Sequence, residues 1–294
     1  MPPNTQYTSY ARLYIFEAVQ LLDLLLQSLY LVVFLVLSLT SSFHQVLAVL
    51  SISIFLRATF TFCSIISFAT SSDASEVLQI SLYVDTISLN FSSFTILILA
   101  LNRCLMFKSP RWNQKLFGSF FHFFILIAIL CFSVALTFIQ ISTGKMERIF
   151  SLSFGIIDFQ NNSTRLHTWL MRTCYVYPVL TILCYIVLYV HVRKSSRSLS
   201  INYEVREEEI YVAVQLLAMA VMQLVFYGVN EFNMALPGNL RMSFSIDLLM
   251  SYISYLPEMM LPLFLFSSKL ELREGIEKFR QTRGGNPFAV TNFY

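Results

Sequence analysis

The sequence predicts an all-α membrane protein: one bundle of seven membrane-spanning helices, N-terminus outside, with a short amphipathic cytoplasmic helix after the seventh span. Three observations carry this. Apolar residues make up 56% of the 294 residues and charged residues only 13%, and the mean hydropathy is +0.65, outside the balance of water-soluble domains. Seven apolar runs match the roughly 20 residues that a helix rising about 1.5 Å per residue needs to cross a hydrocarbon core of about 30 Å. Lys and Arg gather in alternate connecting segments, the asymmetry that sets orientation in a bilayer.

The runs lie at 19–39, 46–70, 78–101, 116–141, 168–192, 210–232 and 244–266. The first is longer than the roughly 7 to 15 residues of a signal-peptide core and no small-residue cleavage site follows it, so it is expected to stay in the chain. Short joining segments, without a Gly/Ser/Pro-rich linker or an internal repeat, make 1–294 a single domain whose residues 267–294 form a cytoplasmic tail.

With the N-terminus outside, the cytoplasmic segments 40–45, 102–115, 193–209 and 267–294 hold 13 of the 20 basic residues, against five in the outer segments: Arg12, Lys145, Arg148, Arg165 and Arg241. The overlapping Asn-x-Ser/Thr acceptors at Asn161 and Asn162 fall in an outer segment of the same topology and are candidate glycosylation sites. A third such triplet, Asn90-Phe91-Ser92, lies inside a span and is expected to stay unmodified.

Charges inside a span cost several kcal/mol unless they face the bundle interior and find partners. Asp23 is shallow enough to reach the interface and is assigned nothing. Arg57 and Glu258 lie at heights of about 16 and 12 Å above the inner ends of the second and seventh spans, so an intramembrane ion pair between them is expected. Asp85 lies about 10 Å below the outer edge of the third span, where a cavity open to the outside would hold a ligand. A carboxylate there suits a cationic ligand; the alternative is a hydrogen-bonded core Asp facing Ser88, Tyr83 or water.

The third span ends in Leu101-Asn102-Arg103-Cys104-Leu105, followed by the basic Lys108-Ser109-Pro110-Arg111-Trp112-Asn113. This resembles the Asp-Arg-Tyr region of rhodopsin-class G-protein-coupled receptors, and resembles more closely the Asn-Arg form of nematode serpentine chemoreceptors, with class XA the subclass it points to. Further landmarks of that family are Pro178 within span five, Pro262 near the inner end of span seven, and the stretch from Lys269 to Arg280, whose Leu272, Ile276 and Phe279 form an apolar stripe like the receptors' eighth helix. The resemblance implies that Asn102 and Arg103 meet the G protein, with Arg103 restrained at rest by an acidic partner; Glu207, Glu208 and Glu209, before span six, are the candidates. The two prolines would be helix kinks. Asn102 departs from the family's usual acidic residue, and span six lacks its Pro. The five Cys lie in spans or at their inner edges, so the usual disulfide from the top of helix three to the second outer loop lacks partners, and that loop must be held by something else.

Other chemistries find no pattern. The four His residues are scattered without ligand spacing, and no nucleophile elbow, phosphate loop or zinc-peptidase helix is present. The expectation is therefore a non-enzymatic receptor without cofactor or metal, taking an unknown extracellular small-molecule or peptide cue and signalling to a heterotrimeric G protein. Its partners would be the lipid bilayer, that G protein and at most another receptor copy, with no nucleic acid. The resemblance places it in the plasma membrane, sensory cilia being the family's setting. The rival from another class is a small transporter or channel, which would be expected to show paired repeats or broken midplane helices.

Overall fold

The computed structural model describes residues 18–33, 35, 42–70, 75–118, 121–151, 155–160, 164–195, 214, 217–229, 231–232 and 259, and these are almost entirely helical. In chain order the elements are α1 (Ala18–Val33), α2 (Ser42–Thr70), α3 (Ser75–Lys108), α4 (Pro110–Phe117), α5 (Phe121–Gly144), β1 (Met146–Ser151), β2 (Gly155–Gln160), α6 (Arg165–Cys174), α7 (Val176–Ser195) and α8 (Leu217–Val229). Among the described residues, Gln45–Phe68, Ser75–Met106, Phe121–Gly144 and Arg165–His191 are long and apolar enough to cross a membrane. They coincide with the second to fifth expected spans. The shorter apolar helices α1 and α8 fall within the first and sixth, while the seventh, 244–266, lies outside the described residues except for the buried Met259.

Helix α3 is the axis of the bundle, packed against α2, α5 and α7. Its Phe91, Ile96, Leu99 and Ala100 join Leu50 and Ile54 of α2, Leu126 of α5 and Leu188 of α7 in one apolar core. Polarity otherwise runs inside out. Asn90, Thr95, Ser133, Thr137 and Gln140 are buried, whereas Phe124, Ile127, Phe138, Ile186 and Val190 are exposed. Water would punish that arrangement and hydrocarbon favours it, because only the interior then supplies hydrogen-bond partners to polar groups. The helices are thus compatible with a membrane protein.

Helix α1 corrects the reading of Asp23. Gln20, Asp23, Gln27 and Tyr30 share one fully buried face, at the i, i+3, i+7 and i+10 positions of a helix. Gln27 donates from Nε2 to Asp23 Oδ1 (3.2 Å) and accepts from Ser51 Oγ of α2 (2.7 Å). Asp23 is therefore an interior residue of the α1–α2 contact and not an interfacial one.

The connecting segments also hold more structure than a seven-run reading gives. Residues expected to open the fourth span form α4 instead. Ser109 occupies the N-cap position and Pro110 the first turn, where its missing N–H is no loss; the helix stops at Gly118 and α5 begins only at Phe121. The segment after α5 contains an antiparallel hairpin, a departure from an all-α fold. Its strands, Met-Glu-Arg-Ile-Phe-Ser and Gly-Ile-Ile-Asp-Phe-Gln, carry the β-branched and aromatic residues that suit a pleated surface. Arg148 stands opposite Asp158 and Ile149 opposite Ile157. Lys145, with φ 44, takes the left-handed turn that ends α5 and launches β1.

Gly144, the last residue of α5, is fixed by close approach. A Cβ there would lie 2.7 Å from Cε1 and 2.8 Å from Nδ1 of His167. That ring is buried and held by Gln140 O, 3.0 Å from Nδ1, so it has little freedom to yield. Gly144→Ala is expected to destabilise the fold by about 1–3 kcal/mol, as overpacking does. An unchanged melting temperature of the purified variant would refute this.

Candidate functional site

Four charged side chains converge where α2, α3 and the hairpin meet. Ser81, Asp85 and Ser88 lie at i, i+4 and i+7 of α3, one polar stripe turned toward α2 and the hairpin. Ser88 Oγ donates to Ser53 O of α2 (3.2 Å), and Arg57 of α2 donates from Nε to Asp85 Oδ1. From β1, Arg148 donates from Nη2 to Asp85 Oδ2 (2.6 Å) and from Nη1 to Ser81 Oγ (3.2 Å). The same guanidinium grips Asp158 of β2 in the bidentate manner, Nε to Oδ1 at 2.6 Å and Nη2 to Oδ2 at 2.8 Å. Both arginine side chains are only 3% exposed, Asp85 18% and Asp158 33%.

The result is an alternating chain, Arg57–Asp85–Arg148–Asp158, with two positive and two negative charges. Burial alone would lower the pKa of Arg148, but the Asp158 and Asp85 carboxylates outweigh it and raise it. The guanidinium is thus a permanent cation. It is also what holds the hairpin to the top of α3, the place where the resemblance called for a disulfide that this chain's cysteines cannot make. All five cysteines are free.

The expected site residues are distributed as follows. Asp85 is bonded to neither Tyr83 nor Ser88; its two oxygens are taken by two guanidinium groups, so an external cation would have to replace one. Arg57 is engaged by Asp85, while its expected partner Glu258 lies outside the described residues. Asn102 is buried and Arg103 half-buried on the last turns of α3, with Arg103 Nη1 3.9 Å from Met106 Sδ. Glu207, Glu208, Glu209, Asn161, Asn162 and Pro262 all lie outside the described residues. Pro178, buried, is the third residue of α7. The helix breaks just before it, at Tyr175, whose N–H turns back to Arg172 O (3.1 Å), consistent with a proline that cannot donate to the preceding turn.

Two further polar clusters tie the bundle together. Asn90 donates from Nδ2 to Thr137 Oγ1 (3.1 Å) and to Gln140 Oε1 (3.0 Å), while Gln140 Nε2 reaches Cys174 Sγ (3.4 Å). Arg172 forks onto Glu231, Nη2 to Oε2 at 3.0 Å, and Tyr175 OH donates to the same carboxylate at 2.9 Å. Sequence reasoning missed Arg148, Asp158 and Asn90. The signal for the first two was the β-branched and aromatic residues Ile149-Phe150 and Ile156-Ile157 on either side of a short connection; for Asn90 it was an amide in the middle of an apolar span.

The chain matches no family model and no curated protein.

Proposed function

We propose that this chain is a G-protein-coupled chemosensory receptor of seven spans, N-terminus outside, in the plasma membrane, similar to nematode serpentine receptors. In this reading α1, α2, α3, α5, α6–α7 and α8 are the first six spans and 244–266 the seventh. The observation that carries it is α3 itself. One helix holds Asp85, under the hairpin, near one end and Asn102-Arg103 at the other, and from Asp85 to Arg103 it advances about 27 Å. A cue that disturbs the hairpin contact thereby acts on the same rigid element that presents Arg103 to the cytosol, the two-site arrangement that allosteric signalling needs.

The test uses basal second-messenger output in cells expressing the chain, so no ligand is needed. Replacing Glu207, Glu208 and Glu209 with Gln is expected to raise basal output several-fold, since a partly solvated restraint of about 1 kcal/mol is lost, and adding Arg103→Ala is expected to abolish the gain. Basal output unchanged by the triple substitution at equal surface expression would overturn the restraint. Output that persists without Arg103 would overturn its coupling role.

A further inference from the structure

Helix α4 packs on α3 and α5 through its buried Phe117 and half-buried Leu116, and turns the rest of its surface outward. There Arg111, Trp112 and Lys115 are exposed, Trp112 by 60%, with Lys115 Nζ 5.5 Å above the Trp112 ring. Lys108, exposed at the end of α3, adds a third cation beside them. The whole stretch from Asn102 to His122 contains no Asp or Glu, and among the described residues none of these three cations is placed in an ion pair. Like charges at i and i+4, as at Arg111 and Lys115, repel one another on a helix. Among the described residues nothing neutralises them, so this exposed face is open to an anionic partner.

The position of the patch says what that partner is. Phe121 and Phe124, 49% and 65% exposed, stand in the first turn of α5, so the apolar outer surface of the bundle begins directly beyond α4. An exposed indole ringed by cations, at the rim where such a surface ends, has the composition of a membrane–water interface. The geometry points to anionic phospholipid headgroups as the occupants of this face, with Lys108, Arg111 and Lys115 holding the phosphate and carboxylate groups and Trp112 seated at headgroup depth. The inference rests on α3 and α5 lying in a bilayer and not on signalling.

The chain has two tryptophans, Trp112 and Trp169, so Trp169→Phe leaves Trp112 as sole reporter. This variant, full length, is reconstituted into phosphatidylcholine nanodiscs containing equal fractions of dibrominated phosphatidylserine or dibrominated phosphatidylcholine. Trp112 fluorescence is expected to be quenched at least about two-fold more by the serine lipid, since each Lys or Arg at an anionic surface favours association by about five-fold. The preference should disappear in Lys108→Gln/Arg111→Gln/Lys115→Gln, fade in high salt and survive Arg111→Lys. Equal quenching by the two lipids, or a preference that persists in the triple Gln variant, would overturn the proposal. So would absence of quenching by either lipid, which places Trp112 away from the bilayer, and so would loss of G-protein co-purification in the triple variant without any lipid preference in the parent, which assigns the face to an acidic protein. Basal signalling is read separately, so the receptor reading and this one fail independently.

Discussion

Asp85→Asn is expected to destabilise the chain by about 3–5 kcal/mol, the cost of breaking a buried charge network from its centre. The substitution keeps the shape of the side chain and removes the charge that separates two guanidinium groups. Arg57 Nε and Arg148 Nη2 would then face one neutral amide from opposite sides, with no negative charge left between two guanidinium groups that are each only 3% exposed. Neutralising Arg57 as well, in Asp85→Asn/Arg57→Gln, removes one of those two cations and leaves the Arg148–Asp158 pair intact, so most of the stability should return. The measurements are the melting temperature of purified protein and surface expression in cells. A single variant as stable as the parent, or a double variant whose loss is the sum of the two single losses, would show that the four charges do not act as a unit.

The same network responds differently when broken elsewhere. Between Asp85 and Arg148 it divides into two neutral pairs, Arg57–Asp85 below and Arg148–Asp158 on the hairpin. Lifting the hairpin strands no buried charge. Arg148 therefore joins the hairpin to α3, whereas Asp85 is needed whether the hairpin is seated or not.

How much of this was legible follows from what each signal measures. Long apolar runs report burial in any apolar solvent, so α2, α3, α5 and α6–α7 were visible at once, and Arg57 and Asp85 stood out because a charge in such a run demands a partner. Which partner was not visible. Reasoning by depth alone paired Arg57 with Glu258, which lies outside the described residues, and left Asp85 for a ligand. Asp85 meets Arg57 and also Arg148, which comes from a segment treated as a bare connector, and six-residue strands are too short to stand out among spans of twenty. Asp23 was misjudged for a related reason: depth along a helix says nothing about which face a residue occupies. The i, i+3, i+7 spacing of Gln20, Asp23 and Gln27 held that information.

Asn90 offers the other large effect. It is 4% exposed and sits where α3, α5 and α6 meet. Its amide nitrogen supplies both Thr137 Oγ1 and Gln140 Oε1, and Gln140 in turn holds His167 through its carbonyl. Asn90→Leu preserves volume but takes the donor from Gln140 Oε1, leaving a buried oxygen without it at a cost of about 1–3 kcal/mol. Gln140→Leu added to it removes the stranded oxygen, and since replacing both partners of a buried hydrogen bond by apolar groups is nearly neutral, the double variant should be more stable than Asn90→Leu alone. Thermal unfolding of the three proteins in one detergent decides the matter. If Asn90→Leu melts with the parent, or if Gln140→Leu deepens its loss, the amide network is not what holds these helices in register.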